Sequence, residues 1–588
     1  MSNSWRIFMW FLSYFILHLA LYTLIRLEFL VWNWSSLKSM TPEQLISAFI
    51  NGIRFDLSAL APTLGLSLLG AVLLCGQRKW ARAWLGLFAM LNAAFFAINT
   101  MDVELYNFTA KRFTWSAFLL SADAHVTNVI LPYLPLALAS FVLVLLFLVG
   151  SYFFIRRFQL TAHAGKKARL SFLIIAVSVL ASRGGLQHKP LTYVDAKIFD
   201  NTYGNNLVLN STFTILKSAT KKSLERLNVS NQEEMLAQLN VRSEVDFKVE
   251  ATAVPLNIVI IILESFSEEY SELRDPEVMP YFNNLRKKSV DFKKGFANGR
   301  RSIEGVAAIL SGIPALMEEP FIDSEFSANQ VIGLGNLLGS RGYKTSFFHA
   351  ANKGSMHFDS FTRSVGVEKY YARDDYPNSL DDDGTWGIYD EPFLKWTCEK
   401  LTADGTPFLT SIFTLSSHQP YNLPPEHQSF KDDRLEILKS VKYSDYSLEQ
   451  FMKCAEQQPW FKDTLFVLTA DHTGPELKPN TEFKKRYEIP IIFYGPSLAW
   501  LKKINPDQYA QHIDVLPTLL DILNIEQKNV NYLSRSLLRS GAKIIPLYSD
   551  GTYELVGDVK NRAEQLKAVQ QYFSQGLYDN RLYYPTKK

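Results

Sequence analysis

The stretch that decides the fold of the carboxyl-terminal half is 257-NIVIIIL-263, which is followed directly by Glu264 and Ser265. A continuous β-branched run of this kind is typical of a strand buried on both faces of a mainly parallel sheet. Runs of the same character follow at 344–348, 408–414, 464–469 and 489–494, with helical stretches such as 280–288 and 444–457 between them. This alternation predicts an α/β fold with a doubly wound, mainly parallel sheet.

Polar side chains follow these runs, at the point where ligands bind in open α/β sheets. The first run ends in Glu264-Ser265 and the second in His349, and the next two lead to His418 and to Asp471-His472. A single Asp-His pair is most often structural, but four strand ends carrying such groups favour a functional site at one edge of the sheet.

Glu264, Asp471 and His472 offer two carboxylates and one imidazole, a set that suits a divalent cation such as manganese or zinc. A fourth candidate ligand is Ser302, because the segment 298-NGRRSIEG-305 leads from a glycine-containing loop into a predicted helix. A serine there commonly only caps the helix. However, backbone N–H groups and two arginines beside it would favour a phosphoryl group. Metal coordination would also lower the pKa of the hydroxyl and make it a nucleophile.

The amino-terminal half has five apolar stretches, near 7–31, 58–76, 83–101, 130–154 and 169–183, that approach the length needed to cross a bilayer. We therefore expect a five-helix transmembrane domain over 1–185, a linker along the membrane over 186–250, with helical pieces at 207–215 and 233–239, and an outer domain over 251–588. The fifth stretch is the shortest. If it were only interfacial, the carboxyl-terminal half would face the cytoplasm.

Loop charges predict the orientation, since basic loops stay in the cytoplasm. Basic residues lie between the second and third stretches and between the fourth and fifth: Arg78, Lys79, Arg82, Arg156, Arg157, Lys166, Lys167 and Arg169. Five crossings would then place everything after about residue 185 outside the cytoplasmic (inner) membrane. Charged groups also lie at the ends of spans, where they are either interfacial charges or contacts to lipid headgroups: Arg54, Asp56, Asp102 and Glu104.

The composition of the 588 residues excludes several classes of protein. The chain is 47% hydrophobic and 20% charged, with a net charge of +3, which excludes collagen-like and disordered chains and gives no support to a nucleic-acid partner. Cysteine occurs only three times, as Cys75, Cys398 and Cys454, which excludes a disulfide scaffold, and no CxxC pair is present of the kind that structural zinc or a thioredoxin-like site needs. A single disulfide bond between Cys398 and Cys454 is left as an alternative.

These motifs resemble the lipoteichoic acid synthase-like membrane enzymes (phosphoglycerol transferases), which have the sulfatase fold of the alkaline phosphatase superfamily. The resemblance rests on 263-LES-265, the loop 299–302, 348-FH-349, 417-SHQPY-421 and 470-ADH-472. It implies that Glu264, Ser302, Asp471 and His472 bind one divalent metal, often manganese, with zinc or magnesium as alternatives. It also implies that His349 and His418 hold the phosphate and assist proton transfer, the alternative being ordinary strand-end histidines.

Three departures from the family pattern bear on the substrate. Ser302 stands where lipoteichoic acid synthases generally have threonine, and 356-MHF-358 stands where they have a Trp-x-Arg element for phosphoglycerol. The Cys/Ser-x-Pro-x-Arg pattern of formylglycine-dependent sulfatases is absent, which disfavours sulfate ester hydrolysis. His512 stands where some two-metal relatives have a further ligand, and we favour a structural role for it.

The expected function is a membrane-anchored, metal-dependent phosphotransferase. It would move glycerol phosphate, or a similar headgroup phosphate, from a phospholipid to a glycan or glycolipid hydroxyl. Ser302 would attack the headgroup phosphodiester to form a phosphoseryl intermediate, Arg301 would neutralise charge on the phosphoryl oxygens, and His418 would protonate the departing diacylglycerol. A metal-dependent hydrolase and a non-catalytic lipid sensor stay open as alternatives.

Overall fold

The computed structural model describes residues 3–109, 112–115, 134–160, 162–199, 201–219, 224–239, 244–250, 255–405, 407–478, 482–526 and 529–585. The chain divides into two compact units. The first comprises Met1–Ser223 together with Asp323–Asn329, and the second comprises Leu224–Ile322 together with Gln330–Lys588. The segment 186–250, expected to be a linker, is therefore divided between the two units.

The first unit contains five long helices: α1 (Asn3–Trp32), α2 (Pro42–Leu73), α3 (Arg78–Thr109), α4 (Leu134–Arg156) and α5 (Ala164–Arg183). Among the described residues, four segments are long and apolar enough to cross a membrane, where the sequence predicted five: Phe8–Trp32, Pro42–Leu73, Arg78–Glu104 and Leu138–Arg156. The predicted start of the fourth span, 130–133, lies outside the described residues.

Helix α5 corresponds to the fifth predicted span and falls short because its first turns carry Lys166, Lys167 and Arg169. It nevertheless lies antiparallel along α2. The Lys167 ammonium contacts the Leu73 carbonyl oxygen at 3.3 Å, and at the other end the Ser58 hydroxyl donates to the Ser182 carbonyl oxygen at 2.6 Å. Helix α5 therefore covers the same length of the bundle as the apolar part of α2.

Two buried ion pairs replace the interfacial charges that the sequence suggested. Asp56 accepts two hydrogen bonds of 2.7 Å from the guanidinium of Arg26, and Asp102 lies 3.2 Å from Arg112. Both carboxylates are fully buried. Because both carboxylates are buried, neither Asp56 nor Asp102 is exposed to lipid headgroups. The paired arginine of each supplies the partner that a buried carboxylate requires.

Residues that follow the bundle complete this polar core. The predicted helix at 207–215 is two helices, Thr202–Val208 and Ser211–Ser218, separated at Leu209 and at Asn210, which caps the second helix. Asn210 also donates to Asp56 at 2.9 Å, and Ser211 donates to Asp102 at 2.6 Å. The second helix and its cap are therefore bonded to the same carboxylates that pair with Arg26 and Arg112, and the first helix accepts hydrogen bonds from both arginines through the carbonyl oxygens of Leu207 and Asn206.

The second unit is built on a seven-stranded sheet, whose strands are β1 (Asn257–Leu263), β2 (Val290–Asp291), β3 (Lys344–His349), β4 (Lys369–Tyr371), β5 (Phe408–Phe413), β6 (Thr464–Ala470) and β7 (Ile491–Tyr494). Their order in the sheet is β2-β7-β6-β1-β5-β3-β4. Strand β1 lies at the centre, parallel to β5 and β6, and all seven of its residues are buried. Strands β7 and β2 form antiparallel pairs at one edge, so the sheet is mixed. The predicted α/β fold is confirmed.

Helices lie between these strands, with the bounds Pro280–Arg286, Ser302–Ser311, Leu334–Gly339, Phe358–Ser364, Asp390–Asp404 and Ile437–Glu456. Two more follow the last of these strands, Val515–Ile522 and Arg562–Tyr578. A short helix at Gln232–Ala237 precedes the sheet, and Ile544–Ser549 pairs with Thr552–Gly557 in a separate hairpin. A disulfide joins Cys398 to Cys454 and so links two of the helices.

Candidate active site

Glu264, Asp471 and His472 come together because their two strands are neighbours in the sheet. In the parallel register of β1 and β6, Leu263 stands opposite Ala470, so the residues that follow them leave the sheet side by side. One ligand atom from each of the three side chains lies within 4.8 Å of the others. The pairing of strands thus brings together the three residues that the sequence predicted as metal ligands.

Ser302 reaches the same point from the helix Ser302–Ser311. Its hydroxyl lies 3.1 Å from Glu264 Oε2 and 3.3 Å from His472 Nε2, and the side chain is buried. The four residues predicted as metal ligands therefore form one cluster.

The hydrogen bonds of His472 and Asp471 leave two atoms facing each other without a hydrogen bond between them. His472 Nδ1 lies 2.8 Å from the Thr473 carbonyl oxygen, which can only accept, so Nδ1 carries a proton and Nε2 is available as a ligand. Asp471 Oδ1 accepts from the backbone N–H groups of Ser265 and His472, whereas its buried Oδ2 accepts none and lies 3.2 Å from His472 Nε2. A buried carboxylate oxygen without a donor is costly, and a divalent cation would satisfy it.

The electrostatics of the cluster support the same conclusion. Burial, together with the neighbouring charge of Glu264, raises the pKa of Asp471 to about 7. Burial opposes protonation of His472, but the charges of Asp471 and Glu264 outweigh it and raise the pKa of the imidazole above its ordinary value. Two carboxylates this close and this buried need compensating positive charge, which a divalent metal would supply.

The loop before Ser302 is held by Glu304. Its carboxylate accepts the backbone N–H of Arg300 at 2.8 Å and that of Arg301 at 3.2 Å, which completes the first turn of the helix. The guanidinium of Arg301 also bonds to Glu304, at 2.5 Å, and to the Glu318 carbonyl oxygen, at 2.7 Å. In this arrangement Arg301 is paired with Glu304, and it would have to leave that pair to meet a phosphoryl oxygen. Its catalytic role stays a prediction.

Gly305 lets this helix approach the end of β6, where the candidate metal ligand Asp471 lies. A Cβ at Gly305 would lie 2.3 Å from the backbone oxygen of Asp471, which is far inside van der Waals contact. The absence of a side chain therefore sets the distance between the helix that carries Ser302 and the residues that would hold the metal.

His512 connects the same two segments. Its Nδ1 accepts the Asn298 backbone N–H at 3.2 Å, and its Nε2 lies 2.7 Å from the Ala470 carbonyl oxygen. Burial lowers its pKa to about 4, so the ring is neutral. Both ring nitrogens are in use, which fits the structural role that we favoured over metal binding.

His418 lies on the loop after β5, and its ring is partly exposed. Ser417 anchors this loop by donating to the Glu264 carbonyl oxygen at 2.6 Å. His418 Nδ1 lies 2.9 Å from the Gln419 carbonyl oxygen, so Nδ1 carries a proton and Nε2 is the nitrogen available for proton transfer.

Trp386 contacts His418 and was not identified from the sequence. The two ring centroids are 4.2 Å apart, and the indole N–H donates to the Gln419 carbonyl oxygen at 2.6 Å, the same oxygen that His418 Nδ1 contacts. The side chain of Asp383 shapes the Trp386 loop by accepting three backbone N–H groups. The Asp-Gly turn was visible in the sequence, but nothing there related residue 386 to residue 418.

His349 is fully buried among aromatic rings. Its Nδ1 lies 3.0 Å from the Tyr370 hydroxyl, and its ring packs against Phe358 and Phe413. Its Nε2 has no hydrogen-bond partner in the described part of the chain, and burial lowers its pKa to about 3. The predicted contact with phosphate would need this aromatic cover to move, and it stays a prediction.

The backbone strain at Ser265 was also not predicted from the sequence. Ser265 has a φ of 59°, in the left-handed region that side-chain-bearing residues rarely adopt. Its hydroxyl donates to Glu264 Oε1 at 2.6 Å, and its N–H donates to Asp471. The strained residue therefore orients both carboxylates of the cluster.

Known proteins share this domain. Residues 256–525 match the Sulfatase family model. The lipoteichoic acid synthase-like protein YvgJ of Bacillus subtilis is 24% identical over 322 residues, which cover 50% of this chain and 52% of that protein. Phosphoglycerol transferase I of Escherichia coli is 27% identical over 238 residues, covering 37% of this chain and 31% of that protein. The chain spans about half the length, or less, of these curated relatives.

Two solved structures share the fold. An alkaline phosphatase superfamily protein of Vibrio parahaemolyticus aligns with a TM-score of 0.52 at 21% identity, covering 61% of this chain and 98% of that one. The lipoteichoic acid synthase LtaP of Listeria monocytogenes aligns with a TM-score of 0.51 at 16% identity, covering 59% and 98%. The resemblance noted from the motifs is confirmed: residues 256–525 match the Sulfatase family model, and this half of the chain shares the fold of the two alkaline phosphatase superfamily structures.

Proposed function

We propose that this protein is a membrane-anchored, metal-dependent phosphotransferase. It transfers glycerol phosphate, or a similar headgroup phosphate, from a phospholipid to a hydroxyl group of a glycan or glycolipid. The observation that carries this proposal is the position of the Ser302 hydroxyl, 3.1 Å from Glu264 and 3.3 Å from His472, at the amino end of a helix. The names of the relatives, lipoteichoic acid synthase and phosphoglycerol transferase, support the choice of transferred group.

Glu264, Ser302, Asp471 and His472 are the residues that would hold the metal, for which manganese is our first choice and zinc or magnesium the alternatives. When bound, the ion supplies positive charge next to the serine hydroxyl and the phosphoryl oxygens. Asp471 Oδ2, which accepts no hydrogen bond, and the neighbouring His472 Nε2 support this assignment.

In the first step, Ser302 Oγ forms a bond to phosphorus and the bond from phosphorus to the diacylglycerol oxygen breaks. Backbone N–H groups at the helix start, and Arg301 once it has left Glu304, stabilise the phosphoryl oxygens. The Ser302 hydroxyl proton is lost to water before the attack, so the serine reacts as an alkoxide, and His418, protonated on both nitrogens, gives its Nε2 proton to the departing oxygen. In the second step, the acceptor oxygen attacks the phosphoserine and its proton passes to His418 Nε2, while the bond from phosphorus to Ser302 Oγ breaks and restores the serine alkoxide.

We further propose that the catalytic half lies on the outer side of the inner (cytoplasmic) membrane. The basic loops around Arg78 and Arg156 support this orientation, and so does the Cys398–Cys454 disulfide, since disulfides persist in oxidising compartments. A membrane anchor keeps Ser302 near its lipid donors. A hydrolase of soluble substrates would not need such an anchor.

The test uses the full-length protein with headgroup-labelled phosphatidylglycerol or phosphatidylethanolamine, with and without a chelator. We expect chelator-sensitive cleavage and, without acceptor, a labelled adduct on the peptide that contains Ser302. Ser302→Ala should abolish cleavage and keep bound metal, Ser302→Thr should retain part of the turnover, and Asp471→Ala should lose both turnover and metal.

Two outcomes would contradict the proposal. Cleavage by a folded Ser302→Ala protein would replace the covalent step with attack by water. Product formation that is indifferent to any glycan or glycolipid acceptor would assign a hydrolase instead of a transferase.

A further inference from the structure

A groove with a volume of about 540 Å³ runs between helices α1 and α4 in the membrane unit. Seven of its lining residues are apolar, and the eighth is an acid: Leu24, Leu27, Val31, Leu138, Ala139, Val142, Leu143 and Glu28. Such a surface, within two helices long and apolar enough to span a bilayer, would face hydrocarbon.

Glu28 is the unusual feature of this groove. Both of its carboxylate oxygens are buried from solvent, and neither has a hydrogen-bond partner among the residues that the structure describes. Other acids of the same unit are paired: Asp56 with Arg26, Asp102 with Arg112, and Glu104 with the indole N–H of Trp32. A buried carboxylate without a partner is costly, and ionisable groups within membrane helices commonly mark a binding site.

The groove lies near one end of the bundle. Glu28 is one turn before the end of α1 at Trp32, and the α4 lining residues are within the first turns of that helix. Arg26, two residues earlier, contacts the Leu207 carbonyl oxygen, and Arg54 contacts that of Gly184, where α5 ends. The groove is therefore at the end of the bundle at which α1 and α5 end and α4 begins.

We infer that this groove binds a phospholipid with a primary ammonium headgroup, such as phosphatidylethanolamine. The apolar residues would contact an acyl chain, and the ammonium group would donate hydrogen bonds to Glu28 while neutralising its charge. A phosphatidylglycerol headgroup carries no positive charge, and a choline headgroup has no N–H to donate. Of these three headgroups, only the primary ammonium provides both a positive charge and N–H donors. The inference does not depend on the chemistry at Ser302.

The test is lipid retention by the full-length protein. The protein is reconstituted in vesicles of equimolar phosphatidylethanolamine, phosphatidylcholine and phosphatidylglycerol with matched acyl chains, extracted in mild detergent, and the retained lipids are quantified by mass spectrometry. We expect enrichment of phosphatidylethanolamine in the wild type and a loss of about fivefold of that enrichment in Glu28→Gln. Glu104→Gln, which changes an acid already bonded to Trp32, should retain the enrichment.

A second variant protects the test against a folding defect of Glu28→Gln. Val142→Trp should fill the groove with an apolar side chain and reduce retention of the ammonium lipid while leaving Glu28 in place. No enrichment in the wild type, or equal enrichment in the wild type and in both folded groove variants, would overturn the inference. Enrichment of phosphatidylglycerol in its place would also overturn it.

Discussion

Substitution of Gly305 by alanine should separate the nucleophile from the metal-binding residues without touching either chemically. The added Cβ would lie 2.3 Å from the Asp471 backbone oxygen, whereas ordinary contact begins at 3.4 Å, so the helix and the strand end must move apart by about 1 Å. The overlap should destabilise the fold by about 1–3 kcal/mol, offset by up to about 1 kcal/mol because alanine favours a helix over glycine. A misplacement of about 1 Å at a reacting group can reduce the rate about 100-fold.

We therefore expect a folded Gly305→Ala protein that retains metal and cleaves labelled lipid about 100-fold more slowly than the wild type. Folding is checked by circular dichroism and metal by elemental analysis. Gly339→Ala is the matched control, because a Cβ at that helix-terminal glycine would meet only Thr345 Cγ2, at 4.0 Å. Turnover within a few-fold of the wild type in Gly305→Ala would refute the reasoning that this close approach positions the serine.

Two further predictions concern histidines. Trp386→Phe removes the hydrogen bond from the indole N–H to the Gln419 carbonyl oxygen but keeps an aromatic ring beside His418. We therefore expect kcat to fall more than KM rises and the pH–rate profile to shift. An unchanged profile would show that Trp386 does not position the imidazole. The pKa of His349 is lowered by burial from 6.5 to about 3, so its neutral form contributes stability that is complete above pH 6.5 and is lost as the pH falls towards 3. His349→Phe should flatten the dependence of thermal stability on pH in that window, and identical slopes for the two proteins would show that this histidine does not set it.

Several features were predictable because they depend on residues close together in the chain. The buried run before Glu264 indicated the central strand, and the residues at the strand ends indicated a site at one edge of the sheet. The structure then made these two strands parallel neighbours, and that pairing brings Glu264 and Asp471-His472 together. Helix α5 was predicted as a span from its short apolar run, but the sequence could not show that it packs along α2 despite its charged first turns.

The sequence by itself determined the α/β class, the apolar helices and which residues are the candidate metal ligands, because strand and helix periodicity and strand-end chemistry are local properties. Only the tertiary structure decided how distant segments meet: Arg26 with Asp56, Trp386 with His418, Gly305 against Asp471, and His512 between the serine loop and β6. Only the tertiary structure, too, paired Arg301 with Glu304 and buried His349 behind Phe358. These contacts depend on which of many possible packings pairs every buried charge and also fills the interior. A single sequence does not show which of those packings is the most stable.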